Sequence, residues 1–266
     1  MKKHIIFSFI AYILVCVTGC EKNDGNSNGK YTKLVKSVDI AAYYEGQVET
    51  ISFDFKYDNN NRLTELIQFY NGNEIGHGKW VYSENRIKMT DLNDDDFSIE
   101  WIFNSRGFVN EQIYKSRDQY EYHTRYYYGS DGYLSSKIET SDYDDYYRTE
   151  KYNRENGNVT ILTIESDDRE YTYAYTYTDY TDRANVDLMA ILKGQGLIEY
   201  PCEGLELDRT VFNSLGNKNL IKSFASQQHE DDNCSFAYEF DKDGYVSRID
   251  IYVNKKLAGS MTVMYQ

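Results

Sequence analysis

The sequence predicts an all-β chain: a long antiparallel up-and-down meander curled toward a barrel, with one short helix and an irregular loop near the C-terminal third. Three observations carry this. Within Thr50–Tyr70, Ile51, Phe53, Phe55 and Tyr57 alternate with Ser52, Asp54 and Lys56, the period of a strand with one dry and one wet face. The run Asp58-Asn59-Asn60-Asn61 then reverses the chain, and Leu63, Leu66, Ile67 and Phe69 return. Finally, 28 tyrosines stand against a single proline, a composition that suits continuous antiparallel sheet.

The same turn recurs along the chain. An aromatic ends one strand, polar residues and a Gly or Asn follow, and after one variable residue a Leu or Val opens the return. Tyr57–Leu63 is the first case, followed by Phe103–Val109, Tyr128–Leu134 and Phe240–Val246. Asn153–Val159 is a member without the aromatic, and Trp80–Ile87 is a shorter variant. Gly or Asn falls where the backbone must take a positive φ.

The strands between these turns keep their parity. Ile99, Trp101 and Phe103 share one face, as do Tyr126 and Tyr128. In Glu170–Thr178, Tyr171, Tyr173, Tyr175 and Tyr177 alternate with Thr172, Ala174, Thr176 and Thr178. The pattern gives about a dozen strands between Val35 and Thr178 and about four more from Asn219 to Gln266, more than an open twisted sheet of about ten strands holds without curling. Asp182–Lys193 interrupts the series as a short amphipathic helix, with Asp182 and Asn185 able to cap it and Gly194 behind. Gly194–Lys218, which carries Pro201, reads as a long irregular connection. Helix and loop together are placed to plug one mouth of the curled sheet.

The start of the chain reads separately. Lys2 and Lys3 precede a largely apolar stretch, Ile5–Val17, too short to span comfortably as a permanent helix. Val17-Thr18-Gly19-Cys20 closes it and resembles the bacterial lipobox, which implies a lipid-modified Cys20 at the mature start. The expected organisation is a lipoprotein signal peptide at 1–19, the lipidated Cys and a flexible tether at 20–34, and the β-meander domain at 35–266. Acyl chains on one Cys would hold the protein on a membrane without spanning it, since each buried methylene contributes about 0.8 kcal/mol. Glu21 and Asp24 resemble surface-export signals of Bacteroidetes lipoproteins; a plain soluble linker explains them as well. Cys202 and Cys234 are the cysteines left in the mature chain and a candidate disulfide, with buried thiols as the alternative.

Charge excludes one class of partner. The formal net charge is −14, and losing Lys2 and Lys3 makes the mature chain still more acidic. Such a protein is repelled by phosphate backbones, so nucleic acid is not an expected partner.

The chain carries few marks of chemistry. No nucleophile elbow, phosphate loop or paired zinc His motif is present. His77, His123 and His229 read as surface residues; no metal, cofactor or catalytic residue is expected. Asp94–Asp96, Asp142-Asp144-Asp145, Asp167-Asp168 and Asp231-Asp232 lack the full calcium-loop spacing and suit hairpin turns. Among the tyrosines of Tyr120–Tyr147, a candidate aromatic platform for a sugar ring comprises Tyr122, Tyr126, Tyr128 and Tyr146; tyrosines that merely flank the sheet are the plainer reading. A transmembrane porin is disfavoured because Asp54, Lys56, Glu65, Arg148, Glu150 and Arg169 sit among the strands and mean hydropathy is −0.70.

The turn Tyr-Asp-x-x-Gly-Arg-Leu resembles the tyrosine-aspartate repeats of bacterial surface proteins. More closely, the layout from 35 to 266 is similar to a family of Bacteroidetes lipoproteins with a porin-like β-fold. The matching motifs are Asn185-Val186-Asp187-Leu188 and Gly216-Asn217-Lys218-Asn219-Leu220. That family carries no established activity, so the resemblance transfers no functional residues. The sequence is therefore read as a non-catalytic lipoprotein of the bacterial outer membrane, on its surface or periplasmic face. The expected partners are the membrane, through the anchor, and a glycan or an envelope protein. The competing reading is a carboxylate-dependent hydrolase acting on glycans, which needs two facing carboxylates.

Overall fold

The computed structural model describes residues 33–44, 46–115, 120–143, 145–166, 169–181, 183–186, 188–194, 217–228 and 233–266. The signal, Cys20 and the tether as far as 32, and also Asp144, Asp167-Asp168, Asp182, Pro201, Cys202 and His229–Asp232, lie outside the described residues. Lys33 and Leu34 are described, Lys33 paired with Asp241 at 2.6 Å and Leu34 bonded to Gln266.

Twelve strands come first. They are β1 (Val35–Tyr44), β2 (Gln47–Tyr57), β3 (Leu63–Tyr70), β4 (Asn73–Tyr82), β5 (Arg86–Asp91) and β6 (Asp94–Phe103). Then come β7 (Val109–Lys115), β8 (Glu121–Tyr128), β9 (Leu134–Ser141), β10 (Tyr147–Glu155), β11 (Asn158–Ser166) and β12 (Arg169–Thr181). Helix α1 (Leu188–Gly194) follows, and β13 (Asn219–Ser226), β14 (Cys234–Phe240), β15 (Val246–Val253) and β16 (Lys256–Tyr265) complete the chain. Each strand pairs antiparallel with its sequence neighbours, and β1 pairs with β16 through Val38↔Val263 and Ile40↔Met261, which closes the barrel. The expected meander is thus a closed one.

The two faces of the wall differ in kind. Phe53, Leu66, Met89, Ile99, Trp101, Leu162, Ile249 and Met261 point inward, each at most 1% exposed, and share one apolar core. The opposite parity is charged and wet: Lys56 pairs with Glu65 at 2.6 Å, Arg86 with Glu100 at 2.7 Å and Lys151 with Glu165 at 2.5 Å. A transmembrane barrel has the reverse arrangement, apolar toward lipid and polar toward the lumen.

One rim carries five-residue turns. Asp58 N–H donates to the Arg62 carbonyl at 2.8 Å, Asn104 N–H to Phe108 at 2.8 Å, Gly129 N–H to Tyr133 at 2.8 Å and Asp241 N–H to Tyr245 at 2.8 Å. In each, the fourth residue is left-handed: Asn61, Gly107, Gly132 and Gly244, with φ between 62° and 81°. The Asp58, Asn104 and Asp241 side chains accept backbone N–H groups two and four residues on, at 2.8–3.2 Å. Asn153–Val159 differs. It is a two-residue hairpin at Asn156-Gly157, both with positive φ, because that dipeptide favours the tight turn whose twist matches its strands.

A second regularity at this rim builds on the aromatic that ends the strands, though nothing in the turn sequence names its partner. The hydroxyls of Tyr57, Tyr82, Tyr128, Tyr177, Tyr238 and Tyr265 donate to the carbonyls of Val35, Leu63, Val109, Val159, Ile221 and Val246, at 2.5–3.0 Å. Each acceptor belongs to the strand before the tyrosine's own, at or near its start. On β6 the corresponding residue is Phe103, which has no hydroxyl to offer.

Helix α1 is shorter than the expected Asp182–Lys193. Asn185, in a bend, and Val186, in an isolated β-bridge, precede it, and Leu188, Met189, Ile191 and Leu192 join the barrel core. Asn185 is fully buried and bonded to β1 and β2, so it is held at the rim and does not enter the helix. The helix closes on the barrel's apolar interior at this mouth.

Candidate functional site

Five adjacent strands give the mainly apolar interior a polar wall, and Gln68 on β3 and Asp91 on β5 are further buried polar residues of the inward parity. At one level the paired inward residues run Trp101, Gln112, Thr124, Glu139 and Arg148 across β6 to β10. At a neighbouring level Tyr126, Lys137 and Glu150 are paired. Glu150 is 1% exposed and Lys137 6%. Lys137 Nζ lies 3.2 Å and an Arg148 guanidinium nitrogen 3.1 Å from one Glu150 oxygen, and the Tyr152 hydroxyl donates to the other at 2.5 Å. Tyr126 donates to Gln112 at 2.7 Å.

These contacts define what the wall can do. A buried carboxylate costs several kcal/mol unless it is paired, and Glu150 is held by two cations and a phenol. Its oxygens are engaged, so it is poorly placed to accept a substrate proton. Burial opposes the charge on Arg148, but Glu150, Tyr146 and Glu139 outweigh burial and leave its pKa raised. Burial, and then Glu139, push the Tyr146 phenol up to about 12. The wall is a charge-balanced polar layer. Nearby, the indole N–H groups of Trp80 and Trp101 are buried without a hydrogen-bond partner among the described residues.

The four candidate platform tyrosines all point inward, at different heights. Tyr122 and Tyr146 meet edge to face, with centroids 6.1 Å apart at 83°, and Tyr122 meets Tyr114 at 5.6 Å. Tyr126 is 4% exposed in the middle of the wall. Tyr128 sits at the opposite rim, stacked on Phe108 at 4.9 Å and bonded to Val109. Only Tyr122 and Tyr146 are brought together. The aromatics facing solvent near that end are others from the same run: Tyr143 is 67% exposed, and its ring lies 3.9 Å from that of Tyr120. Cys234 is buried at the start of β14, and its candidate partner Cys202 lies outside the described residues.

Beside the Tyr120–Tyr143 pair, the outer wall carries a mixed cluster that single-strand motifs do not reveal. His123 Nδ1 lies 3.3 Å from Glu111, while Nε2 lies 3.6 Å from Glu121 and 3.5 Å from Asp142. Lys115 bonds the other Glu121 oxygen and holds that carboxyl below its usual range. The sequence signal was slight: Glu121-x-His123 puts two groups on one face of β8, and Asp142 arrives from the turn between β9 and β10.

Comparison of the sequence with protein-family models and with curated proteins gives no match. Solved structures with the same fold do exist. A porin-like protein from Bacteroides uniformis ATCC 8492 superposes with a TM-score of 0.68 at 14% identity, over 87% of this chain and 98% of that one. A porin-like protein from Bacteroides vulgatus ATCC 8482 gives 0.59 at 15% identity, over 88% and 99%. The likeness is one of fold, and it agrees with the porin-like β-fold expected from the sequence.

Proposed function

We propose that the protein is a non-catalytic lipoprotein of the bacterial outer envelope, hung by Cys20 and its tether, whose barrel serves as a binding or structural module for a glycan or an envelope protein. The observation that carries this reading is the polarity of the wall. Charged pairs such as Lys56–Glu65 and Lys151–Glu165 face outward, and aliphatic and aromatic side chains fill most of the inside, where the charges of the polar wall are paired with each other. Placing such a wall in lipid would cost about 2–4 kcal/mol for each Lys or Arg near the midplane. A barrel with this polarity stands in water, and attachment to a membrane then falls to the lipobox.

The porin-like Bacteroides neighbours support an envelope setting by fold alone. Their shared architecture is compatible with a barrel that does not conduct, because porin lumens are polar and wet whereas Phe53, Met89, Trp101 and Ile249 line this interior. Glu150, the most buried carboxylate of the polar wall, is engaged by cations, and nothing in the geometry favours the hydrolase reading.

The test is expression of the full chain in a Gram-negative host fed an alkyne fatty acid, beside Cys20→Ser. Wild type should take the label and enter the detergent phase on cloud-point separation, and Cys20→Ser should do neither. A Cys20→Ser protein that stays in the membrane after carbonate washing would mean that the barrel itself inserts, and would overturn the reading.

A further inference from the structure

We propose that Glu121, His123 and Asp142 form a binding site for a divalent transition ion of the zinc type on the outer wall of the barrel. The ligand atoms, one from each residue, all lie within 4.8 Å of one another. The spacing suits a small ion. Ligands about 2.0–2.1 Å from a tetrahedral zinc stand about 3.4 Å apart, and His123 Nε2 is 3.6 Å from Glu121 and 3.5 Å from Asp142.

The orientation of the imidazole supports the same reading. Metal-bound histidines generally donate their second ring N–H to a carboxylate, which fixes the ring and raises its basicity. Here Nδ1 faces Glu111 at 3.3 Å, so a proton held there leaves Nε2 as the lone-pair nitrogen, 3.6 Å from Glu121 and 3.5 Å from Asp142. Three protein ligands leave a fourth position for water, on the side where Asp142 is 68% exposed. The imidazole favours zinc, copper or nickel over calcium or magnesium, which take oxygen ligands.

The barrel contains its own comparison. Forty-six positions earlier, His77 occupies the matching place on β4: it pairs with Ile67 as His123 pairs with Ile113, and Glu65 lies at 3.2 Å as Glu111 does at 3.3 Å. Two residues before His77, however, stands Ile75 where β8 has Glu121. There Glu65 approaches Nε2, and Glu74 lies 3.7 Å from Nδ1. Each nitrogen thus lies near a single carboxylate, and no three-ligand arrangement forms there among the described residues.

The experiment is titration of the purified full-length protein, kept in detergent, with zinc chloride. Heat and thermal midpoint are followed for wild type, His123→Gln, Asp142→Asn, Glu111→Gln and His77→Gln. The expected result is one site, a raised midpoint in wild type and His77→Gln, and loss of both signals in His123→Gln and Asp142→Asn. Glu111→Gln should bind about 10–100-fold more weakly. No binding to wild type at millimolar zinc, binding retained in His123→Gln, or calcium displacing zinc at equal concentration would each overturn the proposal. The site is independent of the Cys20 anchor, so failure of either reading leaves the other standing.

Discussion

The side chain of Asn185 and the backbone of Val35 close a ring of hydrogen bonds through Tyr57. Val35 N–H donates to Asn185 Oδ1 at 2.7 Å, Asn185 Nδ2 donates to the Tyr57 hydroxyl at 3.1 Å, and that hydroxyl donates back to the Val35 carbonyl at 2.7 Å. Asn217 holds the matching station on β11. It accepts from Val159 N–H at 2.8 Å and from the Tyr177 hydroxyl at 3.0 Å, while Tyr177 also reaches the Val159 carbonyl at 2.6 Å. Each asparagine comes from one of the two motifs, Asn-Val-Asp-Leu and Gly-Asn-Lys-Asn-Leu, that flank the helix and loop. The two motifs therefore fasten both ends of that insertion to the barrel rim, at the entries of β1 and β11.

Removing one fastener should be costly out of proportion to its size. Asn185→Ala leaves the buried Val35 N–H without its acceptor, a loss of about 1–3 kcal/mol. Asn217→Ala should cost a similar amount through Val159. Urea unfolding followed by circular dichroism measures both. The double variant should show additive losses, because the two rings share no partner. A change below about 0.5 kcal/mol for Asn185→Ala would mean that water replaces the amide and that the ring does not fasten the insertion.

The sequence made the wall legible because each reversal carries its own local chemistry. Asp58, Asn104 and Asp241 cap their turns with their own side chains, and Asn61, Gly107 and Gly244 supply the left-handed residue. Twelve strands before the helix and four after it follow from those marks. Closure was less visible, since the pairing of Val38 with Val263 joins residues at opposite ends of the domain and depends on accumulated twist and tilt. The polar wall was hidden for a different reason. Arg148, Glu150, Lys137 and Glu139 occupy the inward parity of β9 and β10, where alternation leads one to expect apolar residues, so their charges read as a wet face. Partner strands decide such cases: Lys137 and Glu150 are directly paired, and no single strand contains both. The outer His123 cluster likewise gathers residues from two strands and a turn: Glu111 on β7, Glu121 and His123 on β8, and Asp142 after β9.

The Glu150 trio yields a prediction with two arms. Glu150→Gln leaves the Lys137 and Arg148 cations without their buried counter-charge and should cost about 3–5 kcal/mol. Replacing all three charges together, as Lys137→Met, Arg148→Met and Glu150→Met, removes the charges as well as the pairing and should cost less than Glu150→Gln alone. Urea denaturation of the three proteins checks this. If the triple variant is the less stable one, the trio is not a structural layer that apolar side chains can replace, and a role for its charges beyond packing follows.

Alkaline stability should report on Tyr146. Burial, and then Glu139, raise this phenol from an ordinary value of about 10 to about 12 in the folded protein. Between those values the unfolded chain has lost a proton that the folded one still holds, so the folded state binds more protons and stability falls as pH rises. Below about pH 10 both states keep the proton and the residue adds no pH dependence. Tyr265 acts in the same direction, raised first by burial and then by Asp241, so a single substitution removes only part of the effect. The thermal midpoint of wild type should therefore be flat from pH 8 to about 10 and decline above it, with tyrosinate absorbance rising as the protein unfolds. Tyr146→Phe should decline less steeply over the same window. Equal slopes for the two proteins would mean that the Tyr146 hydroxyl meets water in the folded state, and that the polar wall opens at that rim.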